Sequence, residues 1–172
     1  MKVIRRLLFL ISLAIALTWV LRTFLFDTIS VATGSMEPTL PVGTHYLVNR
    51  WIYRVRAPER GDIIVFRSPV DQKTGFIKRV IAVPEDLVEL REKKVILNGK
   101  PLEEPYTVYK RAKEALAGDT LGPLKVPKDR VFVLGDNRDE SFDSGSWKDP
   151  QTGEAIYFVP KDHIKGRLIQ IP

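Results

Sequence analysis

The chain has 172 residues, 44% of them hydrophobic and 28% charged, with 27 Lys and Arg against 21 Asp and Glu, a net charge of +6 and a pI near 9.6. That balance excludes a disordered chain and suits one domain, or one domain with an anchor. There is no cysteine, which excludes disulfides, Cys-ligated zinc and thiol nucleophiles, and the two histidines, His45 and His163, are too few for an obvious metal cluster. The basic residues are scattered and form no nucleic-acid reader, so the excess charge points to a membrane surface.

The first segment, Leu7 to Leu21 (LLFLISLAIALTWVL), has no charge, and TFLF follows Arg22 before Asp27. Together these are about 20 residues, roughly 30 Å as a helix, which matches the hydrocarbon thickness of a bilayer. One N-terminal transmembrane helix is expected, with Arg22 snorkelling near one end and Trp19 and Phe24 to Phe26 at the far interface. Lys2, Arg5 and Arg6 precede the run and keep the N-terminus cytoplasmic, which puts the rest of the chain outside. A cleaved secretory signal is the alternative, for which Ser30-Val31-Ala32 offers a small-x-small triplet. The run exceeds the usual apolar core of about 7–15 residues, which favours an uncleaved anchor. The division is residues 1–26 as cytoplasmic N-terminus and anchor, and 27–172 as an extracytoplasmic β-rich domain.

Beyond the anchor the pattern is strand-like. His45 to Asn49, Gly61 to Phe66, Phe76 to Val83, Leu87 to Leu90, Lys94 to Leu97, Val131 to Leu134 and Ile164 to Ile171 are short β-prone runs between turn residues. Asn98-Gly99 is the strongest hairpin signal. Tyr109 to Ala117 offers a short exposed helix within a charged surface excursion, Glu103 to Gly122. The fold class is mostly β, antiparallel sheets curled into a barrel-like domain. Trp51 and Tyr53, with Arg50, Arg54 and Arg56, suit a membrane surface, or equally a strand and turn whose aromatics are core.

Ser35 stands in the turn Ala32 to Leu40, ATGSMEPTL. A serine in such a turn usually serves the backbone. It fits neither Gly-x-Ser-x-Gly, because Glu37 follows, nor Ser-x-x-Lys, because Pro38 does. A nucleophilic serine needs a base, and His45, His163 or a buried lysine are the options. Lys78 is the best lysine, because strand alternation puts it with Phe76 and Val80 on one face, where desolvation would lower its pKa. A solvent-facing lysine guarding an edge strand is the alternative, since Ile77 and Ile81 make the other face equally apolar.

Taken in order after one N-terminal anchor, TGSMEPTL, GDIIVF, FIKRVIAVPED and GDNRDESFDS resemble the successive boxes of the type I signal peptidases, or leader peptidases. The resemblance runs from RTFLF to VPKDHIKGR. It implies a membrane-bound Ser/Lys endopeptidase that removes signal peptides from exported preproteins, after small residues, on the outer face of the cytoplasmic membrane. Its partners are preproteins and the lipid bilayer, not nucleic acid, and it uses no metal and no other cofactor. By position, Ser35 falls on the nucleophile and Lys78 on the general base. The Thr33 hydroxyl and the Ser35 N–H fall on the oxyanion hole. Ser141 matches the serine that orients the lysine amine, Asp136 and Asp143 match bracing carboxylates, and Arg79 is expected to pair with Asp136. Phe142 falls on the apolar wall around the amine.

Two departures stand out. Ala82-Val83-Pro84-Glu85-Asp86 replaces the family's Gly-Leu-Pro-Gly-Asp, and Glu85 cannot take φ > 0 as cheaply as glycine, so a changed turn is expected. Gly145 stands where an arginine is usual, so Asp143 lacks its usual neighbour. Two other classes compete with the peptidase reading. One is a self-cleaving regulator of the SOS-repressor kind, against which the anchor argues. The other is a non-catalytic anchored β domain, against which the intact Ser35 and Lys78 argue.

Overall fold

The computed structural model describes residues 2–116 and 118–169, excepting the side chains of residues 20–24. It begins with α1 (Lys2–Leu25), β1 (Phe26–Ser30), a 3₁₀ turn at Gly34–Met36, β2 (His45–Asn49) and α2 (Ile52–Val55). Next come β3 (Ile63–Arg67), β4 (Gly75–Ala82), β5 (Leu87–Arg91), β6 (Lys94–Leu97), β7 (Lys100–Pro101) and β8 (Leu121–Lys125). β9 (Arg130–Leu134), a 3₁₀ turn at Arg138–Glu140, β10 (Val159–Pro160), a 3₁₀ turn at Lys161–His163 and β11 (Ile164–Ile169) complete the described chain.

The strands form a seven-stranded sheet in the order β1-β2-β11-β3-β4-β9-β10 and a four-stranded sheet in the order β7-β6-β5-β8. All their pairings are antiparallel. The expected barrel-like closure is not found among the described residues. A barrel needs every strand paired on both edges, whereas β1 and the two-residue β10 are opposite edges of an open sheet.

The expected transmembrane helix also needs correction. Among the described residues no helix is long and apolar enough to cross a membrane. α1 carries Lys2, Arg5 and Arg6 at its start. By sequence its uncharged run, Leu7 to Leu21, is bounded by Arg6 and Arg22, about 15 residues or roughly 22 Å of helix, which is short of a bilayer. Its apolar side chains are nonetheless exposed, from Leu7 at 58% to Trp19 at 66%. The expectations for the side chains of Arg22 and Phe24, and for Ala117 and residues 170–171, fall outside the described residues.

Three apolar clusters hold the domain. Ile64, Phe66, Val80, Val133 and Trp147 pack on one face of the large sheet. Val31, Met36, Leu40, Ile63 and Leu168 form a second cluster beneath the serine turn. Ile81, Val88, Leu90, Val95 and Phe132 join the two sheets. β4 contributes to both of its faces, so five of its residues in a row, from Lys78 to Ala82, are buried. The Tyr109 to Leu116 stretch is a series of turns and not a helix. The Arg111 N–H donates to Asp139 Oδ2 at 2.5 Å, and this tertiary bond takes a donor a helix would use. Asn98 and Gly99 adopt φ of 52° and 79°, and Leu97 pairs with Lys100 around them, the two-residue hairpin their sequence calls for.

Candidate active site

Ser35 sits in the Gly34–Met36 turn, 7% exposed, and Lys78 in the middle of β4, 2% exposed. β3 and β9 pair with β4 on either side, so Lys78 lies in the centre of the large sheet and not on an edge. Its Nζ donates to Ser35 Oγ at 2.6 Å. The amine stands 5.6 Å from the centre of the Phe76 ring, which stacks on Trp147 and meets Phe142 edge-on. Burial among these groups lowers the Lys78 pKa to about 8, against the upward pull of the Asp143 and Asp136 charges. Neither histidine bonds to Ser35 among the described residues. His45 opens β2 opposite Ser30, and His163 ends the turn before β11.

The Thr33 hydroxyl lies 3.4 Å from Ser35 Oγ. The Ser35 N–H is in the first turn of its 3₁₀ segment, where backbone donors have no intrahelical acceptor. The turn is latched from across the site by Asn137, whose N–H donates to the Ser35 carbonyl at 3.1 Å and whose side-chain amide donates to the Gly34 carbonyl at 3.0 Å. Gly135 makes this approach possible: a Cβ there would lie 2.5 Å from the Ser35 carbonyl oxygen and closer still to Ser141 Oγ. In the sequence Gly135 and Asn137 stand in a turn and in the GDNRDESFDS box, with no role of their own assigned to either. Their signal was the GDN triplet ending an apolar strand, which says where the chain turns but not what it turns against.

Arg79, next to Lys78 and on the opposite face, grips Asp136 in a bidentate pair at 2.9 and 2.6 Å. The same carboxylate accepts the Thr39 hydroxyl at 2.5 Å, which ties the chain after Ser35 to the loop after β9. Asp143 is buried. Desolvation raises its pKa, offset by hydrogen bonds from the Ser141 hydroxyl and from the Gly135 and Gly145 N–H groups at 2.9 and 3.1 Å. These backbone donors occupy the carboxylate that lacks an arginine neighbour. Among the described residues the Ser141 hydroxyl donates to Asp143 and not to Lys78, which differs from the orienting bond the resemblance implies. Phe142 packs on Phe76 and Trp147 but stays half exposed.

A serine hydroxyl held against a buried amine on an interior strand of an open antiparallel sheet marks a β-rich protein whose site has the components of acyl-transfer chemistry. The family model described as "Signal peptidase, peptidase S26" matches residues 4–171, and the chain belongs to that family. It is 38% identical over 160 residues to "Probable signal peptidase I-2" of Synechocystis, a match covering 90% of this chain and 66% of that protein. It is 37% identical over 167 residues to "Signal peptidase I P" of Bacillus subtilis subsp. natto, covering 90% of this chain and 89% of that protein. The crystal structure of a signal peptidase I from Enterococcus faecalis is similar over 67% of this chain and 99% of that one, at 32% identity and a TM-score of 0.51.

Proposed function

We propose that the chain is a membrane-associated serine endopeptidase that removes signal peptides from exported preproteins, with Ser35 as nucleophile and Lys78 as general base. The observation that carries this reading is the 2.6 Å approach of Lys78 Nζ to Ser35 Oγ inside an apolar wall, in a chain of the signal peptidase family. The neutral amine takes the Ser35 proton as Oγ attacks the scissile carbonyl carbon. The Thr33 hydroxyl and the Ser35 N–H stabilise the oxyanion, a contribution of about 3 kcal/mol per donor in comparable sites. The ammonium then protonates the leaving amine and the C–N bond breaks, leaving the signal peptide esterified to Ser35. Water, deprotonated by the same amine, attacks the ester, and Ser35 regains its proton.

The rest of the site serves geometry. Arg79, Asp136 and Thr39 hold the strand and the serine turn in register. Asp143, with Ser141, supplies a fixed negative charge beside the amine. The exposed apolar side of α1 is read as lipid contact, with residues 1–26 as the membrane-proximal segment and residues 27–172 as the peptidase domain on the outer face. The placement of Ser35 a few residues after β1 suits a scissile bond that emerges at the bilayer surface.

Cleavage of a purified preprotein by the detergent-solubilised chain tests the chemistry. Ser35→Ala and Lys78→Met should each lower kcat by at least about 10³-fold, whereas His45→Ala with His163→Ala should leave most activity. Retained activity in Lys78→Met would return the base assignment to a histidine.

A further inference from the structure

A cavity of about 650 Å³ lies between β1, the corner that leads into α2, β3 and the Lys161–Lys165 segment. It shares no residue with the site around Ser35 and Lys78. Arg50, Arg54, Arg67, Lys161 and Lys165 line it, against the carboxylates of Asp27 and Asp162. Lys161 is already met by Asp129 at 3.4 Å, outside the cavity. Arg67 donates only to the Asp162 carbonyl, at 3.4 Å, and the Arg54 guanidinium stacks on Trp51 at 4.6 Å, which leaves its N–H edges free. Among the described residues Arg50, Arg54, Arg67 and Lys165 form no salt bridge, and His163 Nδ1, in the same lining, is buried without a partner. The cavity therefore holds more hydrogen-bond donors and positive charge than the fold consumes. Forked guanidinium donors match the oxygens of a phosphate better than a single carboxylate.

Its position narrows the ligand. The Arg50 N–H donates to the carbonyl of Leu25, the last residue of α1, at 2.9 Å. The cavity thus sits at the foot of the helix whose apolar side chains are exposed. Trp51 and Val55, 43% and 69% exposed, are apolar side chains on the corner that follows Arg50. With α1 in lipid, phospholipid headgroups lie at this level. We propose that the cavity binds the phosphodiester of an anionic phospholipid and so seats the peptidase domain on the bilayer. This rests on the reading of α1 as lipid contact. Inorganic phosphate shares the chemistry but not the acyl chains that Trp51 and Val55 would meet.

The test uses the full chain in detergent and native mass spectrometry after exposure to phosphatidylglycerol, phosphatidylcholine or inorganic phosphate. The wild type should retain phosphatidylglycerol about tenfold more than phosphatidylcholine, as expected for a few basic contacts. Arg50→Gln with Arg54→Gln and Lys165→Gln should lose that preference while cleaving a preprotein in detergent at the wild-type rate, which shows that it is folded. Equal retention of the two lipids, an undiminished preference in the triple variant, or phosphate adducts without lipid preference would each overturn the proposal. Co-flotation with neutral phosphatidylcholine vesicles separately tests α1. A wild type that floats but shows no lipid preference refutes the cavity site alone, and one that fails to float refutes the lipid-contact reading.

Discussion

Lys78 shows how a single buried side chain sets a working pH. Burial lowers its pKa, Asp143 and Asp136 pull it back, and about 8 is the result. With Lys78 as the proposed general base the active form is the neutral amine, so kcat/KM should rise with pH through about 8 and at pH 7 reach roughly a tenth of its plateau. A limb near the free-lysine value of about 10.4 would show an amine that is not desolvated. Because the folded chain loses this proton at lower pH than the unfolded chain, the unfolded state binds more protons between about 8 and 10.5. Over that window Lys78 makes stability rise with pH, and its cost is fully present below about 8. Glu85 illustrates a local conflict instead. It takes φ of +74°, so the turn keeps the left-handed conformation that suits glycine and the strain stays in the backbone, where a changed turn was expected. Its ion pair with Lys125 is solvent-exposed on both sides and offsets little. Glu85→Gly should raise stability by about 1 kcal/mol, read as a higher urea midpoint at unchanged slope.

The charged excursion from Glu103 to Gly122 reads in the sequence as surface, but its first part, Glu104 to Arg111, proves to be a strap over the loop that carries Asp136 to Asp143. Buried Glu104 pairs with buried Arg138, Tyr106 lies 3.9 Å under the Arg79 guanidinium, and Val108 forms an isolated bridge with Asn137. Lys93, from the β5–β6 turn, reaches Asp139 at 2.6 Å. Glu104→Gln would leave a buried guanidinium without its counter-charge and should cost about 3 kcal/mol of stability. With the loop that carries Asn137 and Asp143 loosened, kcat should fall more than KM rises. Adding Arg138→Met should restore part of the lost stability, measured by thermal unfolding. A stable, fully active Glu104→Gln protein would show the strap to be passive. Charge composition could not reveal this strap, because it does not tell a solvated glutamate from one whose partner lies 34 residues away. Strands were more legible where β-branched residues run between turn signals, as in β3, β4 and β9. The edge strands escaped notice: β8 contains Pro123, β7 and β10 are two residues long, and β1 follows α1 without a break.

At the scale of the whole molecule, the site assembles from pairs far apart in sequence. Ser35 and Lys78 are 43 residues apart, Arg79 and Asp136 57. Alternation along β4 put Lys78 and Ile77 on opposite faces but could not say that both faces are buried, since that depends on the serine turn, β9 and Trp147 packing against them. The motifs carried the candidate residues, and the sheet order supplied their convergence. Among the described residues none of α1 belongs to the three apolar clusters, and its side chains from Lys2 to Trp19 are exposed, with Leu25 half-buried where the helix meets β1. A chain that starts at Phe26 should therefore fold with a melting temperature within about 2 °C of the full chain in detergent. It keeps β1, whose pairing with β2 from Phe26–Asn49 to Ser30–His45 covers what would otherwise be the free edge of β2. Removing β1 as well, by starting at Val31, should expose that edge and the Met36–Leu40–Leu168 cluster beneath the serine turn, and lower stability by several kcal/mol. Paired melting curves of the two truncations decide it: equal losses would mean that α1 contributes to the fold after all, and that the folded unit begins N-terminal to Phe26.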